Sequence, residues 1–153
     1  MQLDELEQDQ ANTGFGRYLV WLKDPSSDHS PSIPLAIRLE TCQMIGGTTL
    51  KIRPASGCPI PDIGFNFYKP FWGKGYANEA TTALMRYFEE ERGVTEVFGF
   101  TDATNLEANK LFGRLGFEDR GVKGLKGIRE GEIQCVVWAK KGMNEDLRVY
   151  GIS

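Results

Sequence analysis

The sequence predicts a single α/β domain, and two observations carry this prediction. Four segments with strand character come first, and helical segments then alternate with strands until two strands close the chain. At 153 residues, with 41% hydrophobic and 25% charged residues, the chain is long enough to bury a normal core and too short for two full domains. We therefore expect one sheet that carries helices.

The four leading strands are predicted at residues 15–23, 34–40, 44–53 and 62–68. Gly46 and Gly47 weaken the early part of the third strand, because glycine has no side chain to pack. The fourth strand is rich in aromatic residues and holds Gly64 in its interior. A glycine there indicates a bulge or the close approach of another backbone.

The first helix is predicted at residues 75–92. Four apolar side chains recur there at helical spacing, namely Ala77, Ala80, Leu84 and Phe88. Gly93 follows and supplies a left-handed cap. The next segment, residues 94–101, is short and nearly all apolar, which is typical of a central strand covered on both faces.

A capping box, Thr104-Asn105-Leu106-Glu107, starts the second helix. We expect this helix to end near Leu115, with Gly116 as its cap. Two strands, 117–120 and 133–139, then close the fold. Four glycines alternate with basic residues between these strands, which predicts a flexible hairpin loop; a mobile loop that covers an acceptor is the alternative.

Residues 72–77 read Trp-Gly-Lys-Gly-Tyr-Ala and run directly into the first helix. The first turn of a helix has unpaired N–H groups and a partial positive charge, so a glycine turn at this point predicts a phosphate site. It is not a nucleoside-triphosphate loop, because Lys74 is followed by Gly75 and Tyr76. It is not a dinucleotide fingerprint either, since Asn78 stands where the third glycine belongs.

Composition excludes several other classes. A net charge of −3 argues against a nucleic-acid binder with a basic surface. No apolar run is long enough for a membrane span, and the polar, acidic start is neither a signal nor a transit peptide, so we expect a cytoplasmic protein. Cys42, Cys58 and Cys135 lack metal-site spacing and are predicted to be reduced thiols, and His29 lies in a loop. No metal site is expected.

Residues 61–117 resemble the GNAT superfamily of acetyl-CoA-dependent N-acetyltransferases. The similarity is greatest to the branch of ribosomal-protein N-terminal acetyltransferases, in which Trp-Gly-Lys-Gly-Tyr-Ala is followed by Glu-Ala, here Glu79-Ala80. Asn105 and the pair Gly116-Phe117 follow in the family order. The resemblance implies a mixed, mainly antiparallel sheet with helices on both faces, and acetyl-CoA as acyl donor.

The resemblance also implies a set of residues that bind acetyl-CoA: Phe65, Phe67, Trp72, Gly73, Lys74, Gly75, Tyr76, Ala77, Asn105 and Phe112. The strand backbone near Phe65 and Phe67 is expected to pair with the pantetheine arm, and residues 73–77 to hold the pyrophosphate. Asn105 either contacts the pantetheine or caps its helix. Phe112 stands where many members carry a tyrosine that protonates the thiolate; water is able to replace that proton donor.

Acyl transfer to an amine also needs a base for the ammonium proton. Asp62 is the first candidate and would act through a water. The alternative is that Asp62 is simply a carboxylate at a turn after Pro61, with no catalytic role. Glu40, on the predicted neighbouring strand, is the second. The residues alone do not decide between them.

We expect residues 1–14 to form a short polar segment, 15–141 the acetyltransferase domain and 142–153 a tail. Family members carry a strand and two helices ahead of this point, so the resemblance indicates either a shortened or incomplete form, or an acceptor site completed by a second copy or another chain. The predicted function is transfer of an acetyl group from acetyl-CoA to a primary amine of a small molecule, protein or peptide by direct attack in a ternary complex. A non-catalytic acyl-CoA-binding or interaction module is the alternative. Neither nucleic acid nor membrane is an expected partner.

Overall fold

The computed structural model describes residues 3–153, and it describes side chains from Gln8 onward. Met1 and Gln2 of the predicted polar segment lie outside the described residues. The elements in chain order are α1 Leu3–Thr13, β1 Gly16–Leu22, α2 Leu35–Leu39, β2 Gln43–Arg53, β3 Cys58–Phe67, α3 Tyr76–Arg92, β4 Phe98–Thr101, α4 Leu106–Arg114, β5 Glu118–Lys126 and β6 Glu132–Ala139.

Six strands form one sheet in the order β1-β2-β3-β4-β6-β5. Neighbouring strands are antiparallel except β3 and β4, which are parallel. The predicted mixed, mainly antiparallel sheet is therefore confirmed. The parallel pair at its centre arises because α3 carries the chain from the end of β3 back to the start of β4.

The two faces of the sheet are covered differently. Both long helices, α3 and α4, pack on one face through Phe88 and Phe112, which meet Ile63 of β3 and Trp138 of β6. The opposite face, over β4 and β6, is covered by the end of the chain. There Leu147, Tyr150 and Ile152 pack on Val137, and a 3₁₀ turn spans Leu147–Tyr150.

The predicted tail, residues 142–153, is thus part of the core. The Tyr150 hydroxyl donates to Glu96 Oε1 at 2.6 Å and accepts from the Asn144 N–H at 2.9 Å, which ties the end of the chain to the segment before β4. At the other end, α1 occupies most of the segment predicted to be merely polar. The domain boundaries proposed from the sequence stay a prediction.

The predicted strand at residues 34–40 is wrong, because this stretch forms the short helix α2. The Pro34 carbonyl accepts from the N–H groups of Ile37 and Arg38, which starts a helical turn. Only one residue of α2 is β-branched, and β1 pairs directly with β2, so the sheet has no place for a strand between them.

The predicted flexible loop before the last strand is wrong over residues 121–126, which extend β5. The register of the β5–β6 pair shifts between Asp119 and Val122, where Gly121 has a φ of 83°. A left-handed glycine lets the strand bulge and continue, so a glycine-rich stretch that looks like a loop remains paired. The remaining differences are small: β3 begins earlier than predicted, and β4 begins later.

Among the described helices, none is both long enough and apolar enough to cross a membrane.

Candidate functional site

The candidate site begins where the two central strands separate. β3 and β4 pair in parallel at Asp62 and Phe98 only. Beyond this pair β3 continues to Phe67 and β4 to Thr101, both within the described part of the chain, without further pairing to each other. The strands therefore diverge toward their C-terminal ends, and one edge of β3 is left free.

Alternate residues of β3 bond to β2, and the backbone groups of the others face this gap. Tyr68 N–H donates to the Ile45 carbonyl of β2 at 3.0 Å, and the register is regular from Asp62 to Phe67. In an antiparallel pair, residues bonded to the partner strand alternate with residues whose N–H and C=O point away. Phe65 and Phe67 are of the second kind, so their backbone groups face the gap, as their predicted role requires.

A cleft of about 470 Å³ fills the space beside this free edge. Its lining comes from the end of β3, the glycine turn, the first turn of α3 and one side of α4: Phe65, Asn66, Phe67, Phe71, Trp72, Gly73, Gly75, Tyr76, Ala77, Asn78, Asn105, Glu107, Ala108, Leu111 and Arg114. The structure thus brings together all the predicted cofactor residues except Lys74 and Phe112.

The glycine turn presents a row of unpaired N–H groups to the cleft. Gly73 and Gly75 have φ values of 72° and 83°, and Gly75 is the N-cap of α3. The hydrogen bonds of α3 begin with the Glu79 N–H, which donates to the Gly75 carbonyl at 3.0 Å. In the part of the chain that the structure describes, the backbone N–H groups of residues 73–78 have no acceptor. Together with the helix dipole they form a site suited to an anion.

Lys74 lies in this turn but not in the cleft lining. It is exposed, and its Nζ lies 5.9 Å from the centroid of the Phe71 ring. The predicted contact between Lys74 and a phosphate stays a prediction.

Asn105 is the N-cap of α4, since its Oδ1 accepts from the Ala108 N–H at 3.1 Å. The predicted capping box does not form: the N-cap is Asn105, one residue later than Thr104, and the Thr104 hydroxyl donates to Asp102 Oδ1 at 2.6 Å instead. The Asn105 Nδ2 has no protein acceptor among the described residues. Capping uses Oδ1, so the predicted ligand contact through Nδ2 is compatible with it and stays a prediction.

Phe112 lies beneath the cleft, in the core. It is 1% exposed, and its ring packs against Phe65, Phe117 and Trp138 at centroid distances of 5.4, 5.2 and 5.7 Å. A Cβ added to Gly99 would lie 2.2 Å from its Cζ, so the tip of the ring rests on the β4 backbone. The ring is therefore buried, with its tip in contact with the β4 backbone.

We expect Phe112→Tyr to lower the free energy of unfolding by about 2 kcal/mol, because the added oxygen is forced against Gly99 and finds no partner. The measurement is urea unfolding. Phe71→Tyr, which adds the same oxygen to a partly exposed ring of the cleft, should leave stability within about 0.5 kcal/mol. An unchanged midpoint for Phe112→Tyr would show that a phenol fits at this position.

Asp62 lies where β3 and β4 join, on the sheet face opposite α3 and α4. It is 5% exposed, and Arg53 holds both carboxylate oxygens, with Nε 2.6 Å from Oδ2 and Nη2 3.0 Å from Oδ1. Burial raises the pKa of the Asp62 carboxyl, and the guanidinium of Arg53 partly opposes that rise. A raised pKa suits a base, but the ion pair occupies the atoms that a base would use.

Glu40 is the exposed C-cap of α2. Its predicted place on a strand beside Asp62 is wrong, because residues 35–39 form α2 and the strands that flank β3 are β2 and β4. Glu40 does not line the cleft.

Seven lining residues were not singled out from the sequence: Asn66, Phe71, Asn78, Glu107, Ala108, Leu111 and Arg114. Three of them, Ala108, Leu111 and Arg114, follow Asn105 along α4 at successive steps of three residues, so the helical period could have found them once that helix was placed beside the cleft. Arg114 is the one cationic side chain of this lining, and it has no salt bridge among the described residues. Within the same described part, no three His, Cys, Asp or Glu side chains cluster as metal ligands do.

Comparison with known proteins identifies a family to which this chain is similar. A family model described as an acetyltransferase (GNAT) domain matches residues 3–118. The FsC-acetyl coenzyme A-N(2)-transacetylase of Aspergillus fumigatus is 33% identical over 79 residues, which are 48% of this chain and 34% of that protein. The chain thus matches about a third of the length of that relative.

Solved structures share the fold. The microcin C7 self immunity acetyltransferase MccE, in complex with acetyl-CoA and AMP, aligns over 90% of this chain and 66% of its own, with a TM-score of 0.62 and 17% identity. The ribosomal L7/L12 alpha-N-protein acetyltransferase RimL, in complex with coenzyme A, aligns over 90% and 68%, with a TM-score of 0.61 and 16% identity. At these identities the likeness concerns the fold alone.

Proposed function

The chain belongs to the acetyltransferase (GNAT) family, and we propose that it transfers an acetyl group from acetyl-CoA to a primary amine by direct attack in a ternary complex. One observation carries the proposal: a row of unpaired N–H groups at a helix start lies directly beside a free strand edge. Such a pair of features suits a ligand that has a pyrophosphate at one end and an amide-containing arm at the other.

We assign the phosphate end to residues 73–78 and the arm to β3. The N–H groups of the turn hold the anion, and Phe65 and Phe67 offer backbone groups along the free edge as a neighbouring strand would. Asn105 adds a side-chain N–H from across the cleft. When bound, acetyl-CoA supplies an acetyl thioester whose carbonyl carbon an amine nitrogen attacks.

The free edge runs from the glycine turn back to Asp62, where β3 and β4 meet. A ligand anchored by its phosphates at the turn therefore has its acyl end near the Asp62 end of the gap. This position is why we keep Asp62 as the proposed proton acceptor, acting through a water between it and the amine. Phe112 has no hydroxyl, so we propose that solvent protonates the leaving thiolate, which is a stable anion.

The acceptor remains a class: a primary amine of a small molecule, a protein or a peptide. One relative is named an N(2)-transacetylase and one structural neighbour a ribosomal L7/L12 alpha-N-protein acetyltransferase, which supports nitrogen as the acceptor atom. We also propose that a second copy or another chain completes the acceptor site, and that the reaction takes place in the cytoplasm.

Arg114 gives the proposal a first test. Because it is the cationic side chain of the cleft, we expect Arg114→Ala to weaken acetyl-CoA binding about fivefold, the range of a single exposed charge contact. Arg86→Ala removes an exposed arginine of α3 that does not line the cleft, and it should leave affinity unchanged. Calorimetric titration measures both, and the difference should shrink at high salt. Equal affinities for the two variants would remove Arg114 from the site.

The activity itself is tested by following thiol release from acetyl-CoA in the presence of single amines, from small diamines to peptides with free N-termini. Release that depends on an amine, together with an acetylated product by mass spectrometry, supports the transferase. Acetyl-CoA binding without release for any amine would favour the non-catalytic module instead.

A further inference from the structure

Trp72 connects the glycine turn to the free edge of β3. Its indole Nε1–H donates to the Phe67 carbonyl at 2.7 Å, and its backbone N–H donates to the Lys69 carbonyl at 3.1 Å. The ring is nevertheless 56% exposed. A side chain so exposed contributes little to the core, so its role is not that of an ordinary buried aromatic residue.

The acceptor of this bond is a backbone group of the gap. Phe67 belongs to the residues whose N–H and C=O face away from β2, and the indole occupies its carbonyl. The free edge therefore offers the Phe67 N–H and both backbone groups of Phe65, but not the Phe67 carbonyl. Gly73, the first N–H donor of the turn, is the residue directly after Trp72.

The link matters because it is a side-chain bond that joins the turn directly to the strand edge. Gly73 and Gly75 have positive φ, and a Cβ added to either would meet nothing within 4 Å, so no side chain of another element packs on them there. Glycine is the residue with the most backbone freedom to lose. Without the indole bond, the N–H row and the strand edge would be joined only through the backbone bonds of the 3₁₀ turn Lys69–Phe71.

We propose that Trp72 is a positioning residue: its bond to Phe67 sets the distance between the anion site and the strand edge, so that one ligand can use both at once. The inference rests on the proposed function, since it concerns how acetyl-CoA is held. It differs from a direct contact, in which the exposed ring would stack on the ligand's base. The two roles make different predictions for ligands of different length.

The test compares Trp72→Phe with the unchanged protein, using two ligands. Acetyl-CoA spans both subsites, whereas 3′-phosphoadenosine 5′-diphosphate carries the phosphates and the base without the arm. The phenyl ring keeps the bulk and loses the N–H. We expect the Kd of acetyl-CoA to rise about tenfold, the scale of one lost hydrogen bond together with the mobility it releases, and the Kd of the nucleotide to change less than about twofold. Trp21→Phe, on β1 and away from the cleft, is the matched control and should change neither constant.

Each other result overturns the inference. An equal loss for both ligands would show that the ring contacts the base, and an unchanged Kd for acetyl-CoA would show that the bond positions nothing. A large fall in the unfolding temperature of Trp72→Phe relative to Trp21→Phe would assign the bond to stability alone. If the unchanged protein binds neither ligand, the proposed function fails together with this inference; if it binds both while Trp72→Phe binds acetyl-CoA equally well, only the inference fails.

Discussion

Gly75→Glu is expected to weaken acetyl-CoA binding by about 10²-fold or more. Gly75 is the N-cap of α3, with a φ of 83°, so any side chain there adds left-handed strain of about 1–2 kcal/mol. The open space beside its Cα is where we place the anion, and a carboxylate in that space meets the phosphate with like charge. Calorimetric titration with acetyl-CoA measures the loss.

Two further variants separate strain from charge. Gly75→Ala carries the strain without the carboxylate and should lose much less affinity. Gly131→Glu places the same residue at another open glycine with φ of 76°, in the β5–β6 turn, and should leave binding intact. Full affinity in Gly75→Glu would contradict the assignment of the phosphates to this turn.

Asp62→Asn is expected to lower kcat by about 10²-fold or more while the Kd of acetyl-CoA stays unchanged, since general-base catalysis contributes 10²–10⁴-fold and the phosphate site lies elsewhere. Because burial raises the pKa of this carboxyl, the active, charged form is lost as the pH falls through that raised pKa. The rate of the unchanged protein should therefore fall on the acidic side, and this fall should flatten in the variant.

The ion pair with Arg53 requires its own control. Asp62→Asn leaves the Arg53 guanidinium without its counter-charge, and the variant should lose about 2 kcal/mol of stability. Arg53→Lys keeps the charge and loses the fork of two bonds, so it reports the structural part of the effect. If Arg53→Lys lowers kcat as much as Asp62→Asn, the pair shapes the site and Asp62 is not the base. A large fall of kcat in Glu40→Gln alone would identify Glu40, at the end of α2, as the base.

The part of the site that could be predicted from the sequence depends on residues that are neighbours in the chain. A glycine turn that enters a helix presents N–H groups whatever surrounds it, so residues 73–77 and the start of α3 follow from φ preferences and helix geometry. The same holds for the Gly93 cap of α3 and, within one residue, for the cap of α4 at Asn105. These features depend on neighbours in the chain, which a single sequence displays.

Features that depend on contacts between distant segments could not be predicted from the sequence. Residues 34–40 alternate well enough for a strand, yet β1 and β2 pair directly and leave them as α2. Phe112 matches a family tyrosine by position, but only the packing of Gly99 and Trp138 shows that its ring tip is enclosed. The sequence shows Asp62 as a carboxylate without a partner, and only the pairing of β2 with β3 shows that Arg53 forms an ion pair with it. Backbone geometry is set by a few adjacent residues, whereas burial and charge pairing are set by whichever segments the sheet order brings together.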